Sequence, residues 1–248
     1  ASVKTEGDDI TLDSFRQSFA PKFVHVAYGK GFIVTREAKD DNQYGYYKKG
    51  ARALNRSMNI TKEVRTHVLY NTAFSASSAM TGGDGVELID DAHPLAGGGT
   101  FSNRPSAYSD LNETSLEDAL INIAGFVDER GLKVALRGMK LVLPRQLQFV
   151  AERLMVSNLR VGTADNDTNA MRSMGMLPEG YAVNDFLTDT DAFFVMTDAP
   201  RGMIHFERTA LSTNMEADFD TGNMRFKARE RYSFGFSDPR CIFGSPGA

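Results

Sequence analysis

The chain has 248 residues, a formal net charge of −4 and a pI near 5.6. An acidic balance argues against a protein whose main task is to grip nucleic acid through its phosphates. The single cysteine, Cys241, excludes an internal disulfide, and we expect a buried, unreactive thiol. No stretch approaches the roughly 20 apolar residues of a membrane-spanning helix, and no signal peptide is visible, so we expect no membrane contact.

The first structured stretch, residues 10–35, is rich in aromatic and β-branched residues. This composition predicts a β-ribbon with a glycine turn at Gly29 to Gly31. A two-stranded hairpin is only marginally stable alone in water. The ribbon is therefore expected to lie against the rest of the chain or against another molecule.

One long helix is predicted over about 41–75, with a polar cap and an acidic first turn supplied by residues 35–41. Apolar residues recur at alternating steps of three and four and so share one face: Tyr44, Tyr47, Ala51, Leu54 and Met58. A second stripe, offset from the first, contains Ile60, Val64 and Val68. Two shorter helices joined near Ser57 to Asn59 are the alternative. A helix of this length is typical of a spine on which other elements pack.

Residues 76–112 are rich in Gly, Ser, Asn and Pro and predict a long irregular crossing. A connection of this length usually carries function or contacts a partner. The glycine clusters at 81–85 and 97–99 lack the preceding strand and following helix of a phosphate-binding loop. They indicate flexible crossings rather than a phosphate cradle.

The next segment predicts helix, strand and helix, and so an α+β unit. Thr114 and Glu117 form a possible capping box before a helix that ends near Gly131. The core face of this helix is expected to carry Leu116, Ala119, Leu120, Ile123 and Val127. Residues 139–143 predict a buried strand, and Pro144 fits the start of a second helix.

From Tyr181 onward the pattern predicts strands, with an acidic turn at 188–191 and a hairpin turn at 221–223. In the last long strand apolar residues alternate with Arg225, Lys227, Arg229 and Arg231, so one face is basic. That basic row could hold an anion, but a solvated or intersubunit salt-bridging face is the favoured interpretation.

Known catalytic and metal-binding patterns are absent from the sequence. The four histidines have no metal-ligand spacing, and there is no nucleophile elbow, P-loop or dinucleotide fingerprint. The acidic residues Asp165, Asp167, Asp189 and Asp191 could ligate a hard cation, which leaves an unrecognised cation-dependent enzyme as a minor alternative. The residues alone therefore predict a soluble α+β protein without a cofactor, whose extended appendages suggest self-assembly.

Five segments in order resemble a known family: YGKGFIVTREAKDDNQY, SLEDALINIAGFVDERG, MKLVLPRQLQFVAERLM, GMLPEGYAVNDFL and RERYSFGFSDPRCIFGS. They are similar to the major capsid protein of tailed bacteriophages with the Hong Kong 97-type fold. The resemblance covers nearly the whole chain and lies in the order and spacing of the segments. It implies that residues 1–30 form the distal part of an extended loop. Residues 31–110 and 202–248 would build a peripheral domain around the spine helix, and 111–201 an axial domain.

The resemblance also implies a function. Such subunits assemble as hexamers and pentamers into an icosahedral head that encloses double-stranded DNA, with portal and scaffolding proteins as partners and decoration proteins as an option. The expected location is the virion, assembled in the cytoplasm of the bacterial host, and no enzymatic activity is expected. A shell protein of an encapsulin-type nanocompartment is the alternative. Intersubunit contacts are expected at Arg16, Lys22, Lys30, Arg52, Arg56, Asp165, Asp167, Asp189, Asp191, Arg225 and Arg229.

Overall fold

Two larger β-sheets joined by one long helix, together with a two-stranded sheet, make up the α+β fold of this computed structural model, which describes residues 18–41, 45–75, 82–160 and 167–248. No helix in these ranges is long and apolar enough to cross a membrane. The elements in chain order are β1 Val26–Val34, α1 Arg36–Asp40, α2 Tyr46–Asn71, β2 His93–Pro94, β3 Thr100–Phe101, α3 Glu113–Ala124, β4 Gly138–Leu143, α4 Gln148–Met155, α5 Ala170–Ser173, β5 Tyr181–Val183, β6 Phe193–Thr197, β7 Met203–Ala217, β8 Met224–Phe236 and β9 Ile242–Ser245.

The long helix is confirmed as α2, which runs without a break through residues 57–59. Its 26 residues span roughly 39 Å at about 1.5 Å per residue. It begins after Gly45, whose φ of 61° lies in the left-handed region that favours glycine. Thr35 does not cap this helix; its side chain accepts a hydrogen bond from the backbone N–H of Ala38 and opens the short α1 instead. The predicted start near residue 41 was therefore early.

The two predicted stripes of α2 differ in burial. Leu54 and Met58 of the first stripe are buried, whereas Tyr44 lies outside the described residues. Ile60 and Val64 of the second stripe are exposed. The helix therefore buries one face in its first half and leaves an apolar surface on another.

The first sheet has the strand order β1-β8-β7 and is antiparallel throughout. The predicted glycine turn is wrong: Gly29 and Gly31 lie inside the continuous strand β1, opposite Arg229 and Lys227 of β8. The reason is long-range, because β8 lies about 200 residues further along the chain and supplies the hydrogen-bonding partner that a local hairpin would have supplied. Residue 30, the expected domain boundary, also falls within β1.

The N-terminal half of α2 covers one face of this sheet. Leu54 and Met58 pack against Ala228 of β8, with Phe32 and other partly buried side chains around them. A Cβ at Gly50 would lie 3.0 Å from the ring of Phe32, so this glycine, unfavourable in a helix, lets the aromatic side chain approach the backbone. The other face of the sheet has no helix over it in the described part of the chain.

The second sheet has the order β5-β4-β6-β9 and is covered on both faces. Alternate residues of each strand point to opposite sides. On one side Leu141, Phe193 and Phe243 join the buried residues of α3 and α4. On the other side neighbouring strand residues such as Phe194 and Ile242 pack against the C-terminal end of α2. The helix therefore connects the two sheets.

The last strand pairs in the four-stranded sheet and not with the long hairpin. Residues 202–248 were all assigned to the same unit as the long hairpin of β7 and β8. Instead β9 pairs with β6 in the four-stranded sheet, with Phe243 opposite Val195. Both side chains are buried there, so the four-residue strand β9 is held in this sheet by the core that it completes.

The start and end of α3 also differ from the prediction. Asn112 is the N-cap, and the capping box pairs it with Ser115, at 2.8 and 2.9 Å, rather than pairing Thr114 with Glu117. The helix ends at Ala124 with Gly125 as its C-cap, whereas Gly131, with a φ of 78°, belongs to a later turn. The predicted core face is confirmed for Leu116, Ala119, Leu120 and Ile123, which are all buried. The prediction was wrong for Val127, which lies beyond the helix and forms a β-bridge with Lys133. Pro144 precedes a 3₁₀ turn, Arg145–Leu147, that leads into α4.

The crossing is irregular, as predicted, but its described part is held by buried polar contacts. The Nδ2 group of Asn103 donates to the carbonyls of Leu88, Pro239 and Ile242 at 2.8–3.2 Å. The side chains of His93 and Asp84 are hydrogen-bonded at 2.8 Å. Burial raises the pKa of Asp84, but the hydrogen bonds from His93 and the backbone of Val86 outweigh it and lower that pKa overall. These contacts fix the crossing against the second sheet.

Candidate intersubunit surfaces

The exposed face of β8 carries the predicted basic row. Arg225, Lys227, Arg229 and Arg231 are all exposed on the side of the sheet away from α2. Arg225 forms an ion pair with Asp218 of the same hairpin. Gly29 and Gly31 of β1 are paired with Arg229 and Lys227. Because glycine has no side chain, these two basic residues have no side-chain neighbour at the paired positions of β1. The structure thus places Arg225 and Arg229 together on one surface.

The predicted basic residues of α2 and β1 separate into two groups. Arg52 and Arg56 are exposed on α2. Lys30 points toward the helix, where its Nζ donates a hydrogen bond to Ser57 Oγ at 2.8 Å. Lys22 is exposed in the extended segment before β1, and Arg16 lies outside the described residues. Lys30 therefore ties β1 to α2 within one chain.

The predicted acidic residues lie in two places. Asp189 and Asp191 are half-buried in the turn before β6, where the backbone N–H of Asp191 donates to Asp189 Oδ1 at 3.4 Å. The hydrogen bond with Asp189, burial and the negative charge of Asp189 raise the pKa of Asp191. Asp167 is exposed, its carbonyl accepting from the backbone of Arg160 at 2.9 Å, and Asp165 is outside the described residues.

A buried ion pair was not foreseen from the sequence. Lys62 Nζ of α2 lies 2.8 Å from Glu230 Oε2 of β8, and the Glu230 side chain is only 1% exposed. The same ammonium group lies 5.3 Å from the centre of the Tyr232 ring. The sequence does contain a signal for this ion pair, because Glu230 interrupts the otherwise apolar face of β8. A lone charge at such a position requires a partner.

An apolar groove opens between the C-terminal half of α2 and the start of β1. Its volume is about 460 Å³. The lining residues include Val24, Val26, Tyr28, Val68 and Phe234, with the cationic side chains of Lys22 and Arg65 among them. Val24 and Val26 keep 68% and 49% of their surface exposed. We name this feature the α2–β1 groove. The sequence analysis missed it because its lining comes from three distant segments.

The tip of the β7–β8 hairpin carries a phenylalanine whose side chain is 100% exposed, Phe219. It lies in the turn between Ala217 and Met224, next to Asp218 and Asp220. Hairpin turns favour Gly, Asn, Asp and Ser, so an aromatic residue in the sequence DFDTGN is a signal that the sequence analysis overlooked.

The described residues include one free cysteine and no cluster of metal-binding side chains. No group of three or more His, Cys, Asp or Glu side chains within them could hold a metal ion. Cys241 is buried as expected, and burial raises the pKa of its thiol to about 12. A thiol with that pKa is a poor nucleophile at neutral pH.

A family model described as phage capsid protein matches residues 21–244. The chain belongs to this family. It is therefore a structural capsid subunit, and the resemblance read from the five sequence segments is confirmed. No curated protein sequence matches the chain.

Solved structures show the same fold at low sequence identity. The capsid of the cyanophage P-SCSP1u is 10% identical with a TM-score of 0.58, covering 100% of this chain and 80% of that one. The mature capsid of bacteriophage PhiM1 is 13% identical with a TM-score of 0.56, covering 99% and 78%. An encapsulin complex from Synechococcus elongatus PCC 7942 is 8% identical with a TM-score of 0.52, covering 90% and 74%. The chain thus has the Hong Kong 97-type fold that was expected.

Proposed function

We propose that many copies of the chain close, as hexamers and pentamers, into the icosahedral head of a tailed phage around double-stranded DNA. The match of 21–244 to the phage capsid protein family carries this proposal. Portal and scaffolding proteins are the expected partners, decoration proteins an option, and the cytoplasm of the bacterial host the expected place of assembly. A net charge of −4 suits a container that does not grip its DNA tightly. We expect no enzymatic turnover.

The domain division is part of the proposal. Residues 31–110 and the hairpin within 202–248 form the peripheral domain around α2, and 111–201 form the axial domain, to which β9 contributes a strand. Residues 1–30 form the distal part of the extended loop, except that β1 already belongs to the peripheral sheet. The packing clusters between α2 and the three-stranded sheet and around α3 and α4 support this division, and a third cluster joins the end of α2 to the four-stranded sheet.

Contacts between copies are proposed where charged side chains are exposed. Lys22, Arg52, Arg56, Arg225 and Arg229 supply positive charge. Asp167, Asp189 and Asp191 supply negative charge, and Arg16 and Asp165 belong to the same proposal. Each exposed ion pair contributes less than about 1 kcal/mol, but a closed shell repeats it many times.

An encapsulin-type shell is the second candidate, because the encapsulin structure aligns with a TM-score of 0.52, close to those of the phage capsids. A shared fold does not determine what a shell encloses. The content of the particle separates the two candidates.

Negative-stain electron microscopy of purified particles tests the proposal, followed by nuclease treatment and extraction of protected nucleic acid. We expect uniform icosahedral shells that protect double-stranded DNA. Shells that protect protein cargo and no DNA would favour the encapsulin candidate. A monomer or small oligomer under every condition of assembly would contradict both.

A further inference from the structure

We propose that Phe219 at the hairpin tip of one copy inserts into the α2–β1 groove of a second copy. This inference rests on the proposed function, because it concerns how capsid subunits contact one another. It assigns a docking role to the hairpin tip and to the α2–β1 groove. Of the charged residues proposed above as intersubunit contacts, only Lys22 lines this groove.

The inserting side chain is presented by a stiff support. Strands β7 and β8 form a hairpin whose pairing continues to Ala217 and Met224. The ion pair between Arg225 and Asp218 and the hydrogen bond from Thr221 Oγ1 to Asp218 Oδ2 close its end. Phe219 projects from this closed end with its whole side chain exposed. A fully exposed aromatic side chain on an ordered turn is unfavourable in water unless a partner covers it.

The receiving groove is open, of suitable size and lined by both apolar and polar side chains. Its volume of about 460 Å³ lies within the range of about 300–1,000 Å³ seen for ligand pockets. Val24 and Val26 form one wall with large exposed fractions, and Val68 of α2 lies opposite. Next to it on α2, Val64 is 47% exposed and extends the apolar surface. The groove therefore has apolar area that remains to be buried.

The charges around the two features are opposite. Phe219 is flanked by exposed Asp220 and by Asp218, with exposed Glu216 close by on β7. The groove carries the exposed cations of Lys22 and Arg65, and Arg65 lies 5.7 Å from the centre of the Tyr28 ring. Among the residues that line the groove there is no carboxylate. An acidic aromatic tip therefore fits this site better than a basic or purely apolar one would.

The two features lie at opposite ends of the same sheet, so the contact must join two molecules. The tip adjoins Met224 at the start of β8, whereas Phe234 lines the groove near its end. Ten residues of extended strand separate these positions by roughly 33 Å. A different surface on each partner makes the contact heterologous, which generates rings or extended lattices rather than closed pairs.

A disulfide test uses assembled particles of the double variant Phe219→Cys/Val24→Cys. The native Cys241 is buried and does not compete. After oxidation we expect covalent species larger than dimers on a non-reducing gel, because each copy joins one neighbour through the tip and another through the groove. The matched control is Phe149→Cys/Val24→Cys, since Phe149 is also exposed, at 73%, but lies on α4. We expect no ladder from this control.

Two results of this test separate the inference from the proposed function. Particles that assemble but give no ladder, or only a covalent dimer, overturn the inference and leave the capsid function intact. Absence of particles from the native chain overturns the proposed function itself. If residues 1–17 of the same chain filled the groove, the double variant would give no ladder, and this result would also overturn the inference.

A second measurement does not depend on the cysteines. Phe219→Ser is expected to raise the protein concentration needed for assembly, followed by light scattering, by about tenfold or more. Phe149→Ser is expected to change it by less than about twofold. Equal effects of the two substitutions overturn the inference. Arg65→Glu and Asp220→Lys should each weaken assembly, and recovery in the double variant would identify the contact as a tip-to-groove pairing.

Discussion

The two sheets of this subunit are stabilised in different ways. The four-stranded sheet is covered on both faces, and its strands supply large side chains that are fully buried, such as Phe193, Phe194 and Phe243. The three-stranded sheet is covered by α2 on one face only, and the small buried cluster beneath the helix contains Leu54, Met58 and Ala228. The four-stranded sheet therefore lies inside a core. The three-stranded sheet has a helix on one face and leaves its other face exposed.

Polar contacts also hold the three-stranded sheet against α2. Lys62 pairs with buried Glu230, and Lys30 donates to Ser57, so two lysines connect α2 to the sheet. Such contacts specify one packing geometry but contribute less than apolar burial. The comparison indicates that the four-stranded sheet supplies most of the stability of the isolated subunit. The three-stranded sheet leaves exposed surfaces, which we propose contact other copies.

The largest expected effect is in the complete core. Phe243→Ala removes a side chain that is 1% exposed and is expected to lower the free energy of unfolding by about 3–5 kcal/mol. Chemical denaturation of the dissociated subunit measures this. Phe149→Ala is the matched control, since Phe149 is 73% exposed, and should stay within about 0.5 kcal/mol. Similar losses in both variants would contradict the assignment of the core.

A smaller loss in the free energy of unfolding is expected when the ion pair between Lys62 and Glu230 is broken. Lys62→Met leaves the carboxylate of Glu230 buried without its cation and should cost about 2 kcal/mol, below the range for fully buried pairs because Lys62 is 28% exposed. The double variant Lys62→Met/Glu230→Gln should cost less than the sum of the two single changes. Lys48→Met, at an exposed position of α2, is the control. Additive effects in the cycle would show that the pair is not coupled.

Two glycines of β1 allow a sharper comparison within the three-stranded sheet. A Cβ at Gly31 would lie 2.6 Å from the backbone oxygen of Phe226, whereas at Gly29 the nearest atom is 3.5 Å away. Gly31→Ala is therefore expected to destabilise the subunit by about 1–3 kcal/mol through overpacking. Gly29→Ala should be neutral or stabilising by up to about 1 kcal/mol, because alanine restricts the unfolded chain. Thermal unfolding of both variants measures the difference, and equal melting temperatures would be inconsistent with this register.

The smallest effect is a pH dependence beside the four-stranded sheet. The hydrogen bond with Asp189, burial and the charge of Asp189 raise the pKa of Asp191 above its ordinary value of 3.8. A raised pKa contributes stability below the ordinary value and loses it as the pH rises through the folded-state value. Asp191→Asn should therefore be more stable than the native subunit at neutral pH, by less than about 0.5 kcal/mol because solvent screens a group that is only half-buried. The difference should shrink as the pH falls through the folded-state value and vanish well below pH 3.8, and a constant difference across this range would contradict the assignment.

Much of the fold was predictable because its elements have strong local patterns. The apolar face of α3, the strand at 139–143 and the alternation of β8 follow from the periods of helix and strand, and all three are present. The candidate interface was less predictable. The sequence marked Arg225 and Arg229 as one basic face, but it gave no sign that Lys30 turns inward to Ser57. The direction of a long side chain at a strand edge depends on its neighbours.

Local periodicity and spacing were enough to predict the α+β class, the long helix and the order of segments that indicated a phage capsid subunit. The pairing of β1 with β8, instead of a local hairpin, and the place of β9 in the four-stranded sheet were visible only in three dimensions. The tertiary structure alone assembled the α2–β1 groove from segments around Val24, Val68 and Phe234. The physical reason is that strand pairing and groove formation depend on contacts between residues that are distant in the chain, which no local pattern records.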